Sequence, residues 1–198
     1  MTHLRTAAYC ALAALAGCAS GVSPHTSYYT LAAERALATS PTAATTTRVS
    51  VGRAAIPEMV DRPQIVVRSA SNRVEISDFH RWGEPLRDAI PRVVAENLAQ
   101  KLGPRYTVVA GGMRGAAPEL RILLDVQKLE AALGGGVTLD VLWGVRSAGS
   151  ARDGRSVIDD RASGSGYADV AAAYSRALAR VAQDIAAAIE ALPNQPQG

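Results

Sequence analysis

Catalysis needs a nucleophile, a base and often a metal within reach of one another, and this chain carries few residues able to supply them. Its histidines are His3, His25 and His80. The first lies in an N-terminal leader and the second in the polar segment after it. Only His80 belongs to the folded region, so no two-histidine zinc site can form there. No His-Glu-x-x-His, phosphate-loop or Gly-x-Ser-x-Gly pattern occurs. Gly134-Gly135-Gly136 lacks the Lys-Ser/Thr of a phosphate loop and reads as a hairpin turn. Asp159-Asp160 could hint at a cation site. Adjacent strand residues point to opposite faces, however, so a solvated edge is the better reading. These features predict a non-enzyme without a cofactor or metal.

The residue with a definite chemistry is Cys18. Met1 to Arg5 carries positive charge, and Thr6 to Leu15 is an apolar run. That run is too short to span a bilayer, which takes roughly 20 residues, but it suits a signal peptide. It closes on Leu15-Ala16-Gly17-Cys18-Ala19-Ser20, which resembles the bacterial lipobox. There, small residues admit the peptidase and the cysteine thiol receives a diacylglycerol. The expectation is a signal peptide over 1–17 and covalent lipid on Cys18, a palmitate-type anchor. The alternative is a plain secretory signal with Cys18 incidental. Each buried methylene contributes about 0.8 kcal/mol, so two or three acyl chains anchor firmly where one does not. Ala19 is not the Asp that retains lipoproteins in the inner membrane of Gram-negative bacteria, which favours the periplasmic face of the outer membrane. Cys10 leaves with the leader, so no internal disulfide forms.

At 198 residues the chain is long enough for one domain with a proper core. Removing residues 1–17 deletes Arg5 and no acid, which leaves a net charge of about +2. That charge is weak and evenly spread, which argues against nucleic acid as a partner. Aromatics are sparse, with one Phe, two Trp and six Tyr, so the core must come mainly from Val, Ile, Leu and Ala.

Residues 18–26 are small and polar, a lipidated tether. A single domain over 27–193 follows, then a loose tail over 194–198. Strand signals fall at Ser27 to Ala32, Arg48 to Ala54, Gln64 to Ser69 and Arg73 to Ser77. Pro57 and Pro63 exclude a central strand between the second and third of these. Trp82 to Gly103 has helical periodicity, with Pro91 predicting a kink or a start near Asp88. Further strands are predicted at Tyr106 to Ala110, Glu119 to Glu130, Val137 to Arg146 and Ser156 to Ser163. Tyr167 to Leu192 is the clearest helix: Val170, Tyr174, Leu178, Val181, Ile185 and Ile189 repeat at steps of four and three. Its apolar face suits a sheet better than a membrane surface. The predicted class is α+β, a mostly antiparallel sheet carrying two long helices on one face.

Several segments together resemble the PqiC/YmbA family of ABC-type transport auxiliary lipoproteins. They are Tyr28-Tyr29-Thr30-Leu31, Ile56-Pro57-Glu58, Asp61-Arg62-Pro63-Gln64-Ile65-Val66, Asn72, Phe79-His80-Arg81-Trp82-Gly83-Glu84-Pro85-Leu86 and Asn97-Leu98. The resemblance implies a non-enzymatic, outer-membrane partner of an MCE-type lipid transport system that docks the periplasmic MCE-domain protein and supports envelope integrity. The contact surface it points to includes Arg62, Gln64, Arg81 and Trp82, since Arg and Trp are favoured interface anchors. The competing reading places Trp82 in the core and pairs Arg62 with Asp61 or Glu58. A tethered cell-envelope enzyme or regulator, and a purely structural lipoprotein, are the other functional classes. The oligomeric state is open, a homo-oligomer included.

Overall fold

A computed structural model describes residues 25–34, 47–112 and 117–192. The leader with Cys18 and the tail lie outside the described residues. The elements are β1 (Ser27–Tyr29), β2 (Thr47–Val51), β3 (Gln64–Ala70), β4 (Arg73–Trp82), α1 (Leu86–Leu102), β5 (Tyr106–Ala110), β6 (Leu120–Ala132), β7 (Gly136–Arg146), β8 (Ala151–Arg161) and α2 (Tyr167–Glu190). They form an α+β fold with two sheets, one of order β1-β4-β3 and one of order β5-β2-β6-β7-β8. Helix α1 packs on β5 and β2, helix α2 on β7 and β8, and the helices on each other.

The sheets are mixed, which corrects the expectation of a mostly antiparallel one. β2 lies parallel to both β5 and β6, and β1 lies parallel to β4. The β3–β4, β6–β7 and β7–β8 pairs are antiparallel. The physical reason lies in the connections. The chain leaves β2 and comes back to β5 through α1, and a helical crossover returns a strand in the same direction. The short turns at Ser71–Asn72, Gly134 and Ser147 produce the antiparallel hairpins. Gly134 takes a positive φ of 71°, a backbone conformation that glycine adopts freely.

Period-2 burial runs through the large sheet. Leu120, Ile122, Leu124 and Val126 of β6 point into the core. A register shift between Val126 and Lys128 then moves the buried set to Leu129 and Ala131. Such a bulge inserts one residue and keeps both halves of a long strand facing inwards. Across β7, Trp143 lies over Gly154 of β8, where any side chain would overlap its indole. Its ring N–H donates to Ser156 Oγ at 2.9 Å, and Ser156 donates to Asp184 of α2 at 2.5 Å.

Several element boundaries differ from the sequence expectation, three of them with a visible physical cause. β8 starts at Ala151, not Ser156, because it pairs residue by residue with β7 over its full length. Trp82 ends β4 and does not begin the helix, because its N–H donates to Pro63 O at 2.7 Å. α1 runs unbroken from Leu86 across Pro91. Proline in a helix frees the carbonyl four residues earlier. Here that carbonyl, on Arg87, accepts from Ala54 N–H at 3.4 Å, so the broken helical bond is replaced from β2's end.

Asp160 is a further correction, since it is buried and not part of a solvated edge. Arg176 and Arg180 of α2 reach it at 2.6 and 3.0 Å, tying the helix to β8. Asp140 on β7 accepts two bonds from Arg155, at 2.9 and 2.6 Å, and these hold its carboxyl below the ordinary carboxylate value.

Leu178 and Ile185 are fully enclosed, so Leu178→Asp or Ile185→Asp should cost several kcal/mol in urea unfolding, because each puts a charge in an apolar contact without a partner. Arg180→Ala should cost under about 1 kcal/mol, since Arg176 still holds Asp160. The Asp140 carboxyl, depressed in the folded state, contributes stability in full above the unfolded value of about 3.9. That contribution falls away as pH drops through the lower folded value. Acid titration of melting temperature should therefore be shallower below about pH 4 for Asp140→Asn than for wild type.

Candidate docking surface

The three-stranded sheet gathers most of the segments singled out in the sequence. Pairing places Tyr28, Arg81 and Gln64 side by side across β1, β4 and β3. In-register neighbours share a face. Tyr28 is 66% exposed, and Arg81 and Gln64 are half-buried, so the three form an open row. The next row inwards holds Tyr29 and Trp82.

Trp82 is 6% exposed and packs against Tyr174 of α2, with ring centroids 6.2 Å apart. It is therefore a core residue that sets the position of Arg81. Arg62 is half-buried; its Nε is enclosed and has no hydrogen-bond partner among the described residues. Arg62 does not take Asp61, which instead accepts from Arg87 of α1 at 3.2 Å. The structure thus brings Gln64 and Arg81 together, with Trp82 beneath them and Arg62 two residues from Gln64.

The remaining distinctive residues are ties between elements. Glu84 pairs with Arg92 of α1, whose other bonds go to Glu96 at 3.0 Å and to Leu31 O at 3.0 Å. Its bond to Glu84, with support from Glu96, raises the guanidinium above its ordinary value. Asn97 is buried; its amide donates to Val93 O at 2.8 Å, and its oxygen accepts from Glu34 N at 3.2 Å. A helix-borne amide thereby fixes the chain just after β1. His80 is stacked on Tyr167 with centroids 3.9 Å apart, and its Nδ1 lies 2.7 Å from the Tyr29 hydroxyl. That ring bridges the small sheet to the start of α2. Sequence periodicity missed Asp160, Arg92 and the Tyr29–His80–Tyr167 cluster, because all depend on contacts between distant segments.

Two concavities flank this sheet. A groove of about 510 Å³ runs between β1 with Thr30 to Glu34 and the Ala168, Ala171, Ala172 and Ser175 side of α2. A smaller one of about 160 Å³ lies between Met59, Val66, Val74 and the β6 bulge at Leu129. Among the described residues no group of three or more His, Cys, Asp or Glu side chains could hold a metal.

Residues 29–186 match the family described as ABC-type transport auxiliary lipoprotein component. The chain belongs to that family. Its fold is shared with solved structures at low identity. One is an uncharacterized protein, 17% identical, with a TM-score of 0.68 over 83% of this chain and 99% of its own. Another is a Xanthomonas campestris protein of family DUF330, also 17% identical, with a TM-score of 0.58 over 81% and 93%. Curated proteins offer no match. The family match runs from the last residue of β1 through the greater part of α2, so it takes in strands of both sheets and both helices. Among the described residues no helix is long and apolar enough to cross a membrane.

Support and surface roles separate by substitution. Trp82→Ala should cost about 3–5 kcal/mol in chemical unfolding, as loss of a buried aromatic does. Arg81→Ala should stay within about 0.5 kcal/mol of wild type. Tyr174 has a buried hydroxyl with no hydrogen-bond partner among the described residues, and burial pushes its ionisation well above the ordinary value. Tyr174→Phe should therefore leave stability unchanged or raise it by about 1 kcal/mol, since it removes an unsatisfied donor. A clear loss would mean that the hydroxyl is bonded.

Proposed function

We propose that this auxiliary component is held by lipid on Cys18 at the periplasmic face of the outer membrane, and that it docks the periplasmic MCE-domain protein of an ABC-type lipid transport system. The function is non-catalytic and supports envelope integrity. The observation that carries this reading is the division of labour within the distinctive segments. Asp61, Glu84, Asn97 and Trp82 are spent on internal ties, while Arg62, Gln64 and Arg81 are left at the surface beside the exposed Tyr28.

An aromatic ring beside arginines suits recognition, because both bury area and retain a directed donor. Pro63 and Pro85 bound the two segments and limit the backbone entropy lost on binding.

The test is capture of the periplasmic MCE-domain protein by the folded protein. Arg62→Ala with Gln64→Ala should reduce capture at least tenfold while the melting temperature stays near wild type. Undiminished capture by a stable double variant would place the docking surface elsewhere, and no capture by the wild type would remove the docking reading. Cys18→Ser should leave an unacylated precursor or a soluble periplasmic species. Mass spectrometry that finds an unmodified thiol in the wild type would overturn the anchor.

A further inference from the structure

Strand β8 ends the five-stranded sheet, and among the described residues no strand pairs with its outer edge. From Ala151 to Arg161 it matches β7 residue for residue, with neither a bulge nor a proline. Those are two of the devices that keep sheet edges from pairing. The phase of the ladder says which groups this edge offers. The turn closes with Ser147 N–H donating to Ser150 O at 2.9 Å, and hydrogen-bonded pairs alternate along an antiparallel ladder. The even-numbered residues of β8 therefore bond β7, and the odd-numbered ones turn N–H and C=O outwards. Arg180 and Arg176 of α2 agree with this phase, since they donate to the carbonyls of Asp159 and Arg161 at 3.3 and 3.0 Å. From Ala151 to Val157 the outward backbone groups have no partner among the described residues.

The side chains on this open stretch say what covers it. Ser156 and Asp160 point to α2, so the odd-numbered residues stand on the other face, and all four are exposed. They read Ala151, Asp153, Arg155, Val157: apolar, acid, base, apolar. Two copies laid antiparallel about Gly154 set Asp153 against Arg155 twice and Ala151 against Val157 twice. Centring on Asp153 or on Arg155 instead puts like charges directly opposite, which is unfavourable. Both charges are free to reach a partner. Asp153, 72% exposed, gives one carboxylate oxygen to Arg146 and keeps the other. Arg155, 60% exposed, gives Nε and Nη2 to Asp140 and keeps Nη1. Val157 is 57% exposed, more than any other Val, Leu or Ile among the described residues, and the pairing covers it.

We infer that the β8 edge takes a second copy of this chain, the two strands pairing antiparallel about Gly154 and joining two five-stranded sheets into one. The partner is the strand itself because the same four residues supply both the free backbone groups and a charge order that complements its own reverse. Pairing of identical edges is isologous, so the assembly closes at two copies. The paired stretch is short, and the dimer is a reversible one.

The chain from residue 18 onwards has no thiol once it carries Cys18→Ser, since the other cysteine is Cys10. Ala151→Cys and Val157→Cys are added to it separately, one bearing a size tag, and the two proteins are mixed under mild oxidation. Hydrogen-bonded antiparallel partners hold their Cα atoms about 5.5 Å apart, within disulfide reach. The mixed 151–157 disulfide should exceed either homodisulfide at least fivefold. Asp153→Lys in both proteins should cut its yield at least threefold while the melting temperature stays near wild type, because that side chain is largely exposed. Sedimentation of the thiol-free protein should show a monomer–dimer equilibrium that Asp153→Lys moves to higher concentration. A dominant 157–157 disulfide would mean another register, and equal yields of all three would mean random collision; either overturns the inference. So does a protein that stays monomeric at every concentration, or an assembly that persists without the mixed disulfide, which uses another surface.

Discussion

Trp82 ties the two sheets of this protein into one fold. Its backbone closes the ladder with Pro63 and its register partner is Tyr29, while its side chain lies on Tyr174 in the helix that covers the larger sheet. The three-stranded sheet also reaches the rest of the fold through Ile65 and Val67 of β3, through Tyr29 and Val66 at the core's rim, through Arg68 paired with Glu130 of β6, and through the His80 ring stacked on Tyr167. A three-stranded sheet with one open face is only marginally stable alone. The orientation of its surface residues therefore depends on the docking of Trp82, and the exposed row over it inherits that rigidity.

Helix α1 supplies the second set of constraints. It meets Asp61 through Arg87, the Glu84 turn and Leu31 through Arg92, and the chain after β1 through Asn97. These are polar ties at the rim of an apolar contact, and each consumes a side chain that would otherwise be free to recognise a partner. Individually such partly exposed pairs contribute little stability. Their effect is geometric, because they hold three otherwise irregular segments against one helix. The tolerance of α1 for Pro91 belongs to the same economy, since the carbonyl released by the ring is taken up by Ala54.

Helix α2 is held differently. Its buried face is largely alanine with Leu178, Val181, Ile185 and Ile189, which lets it lie close on β7 and β8. Polar anchors then fix its rotation: Arg176 and Arg180 on Asp160, and Asp184 on Ser156, which also carries the Trp143 indole. The start of the helix is set by Asp169, whose carboxylate accepts from Gly166 N at 3.0 Å, where the helix dipole also favours an anion.

Local sequence pattern determined the two helices, the apolar faces of β6 and β7 and the glycine hairpin. These are properties of neighbours three, four or two positions apart, and they are written locally. The lipobox-like run that ends at Cys18 is likewise a local pattern. What only the tertiary structure decided depends on segments far apart in the chain. The parallel pairing of β2 with β5 follows from a crossover, which strand patterns do not encode. The burial of Asp160 depends on two arginines from a helix whose exposed face the periodicity had assigned to solvent. Within Arg62, Gln64, Arg81 and Trp82, residue type could not separate the member that supports from those that are displayed. A tryptophan serves equally as core or anchor, and the choice falls to what lies above it, which here is Tyr174.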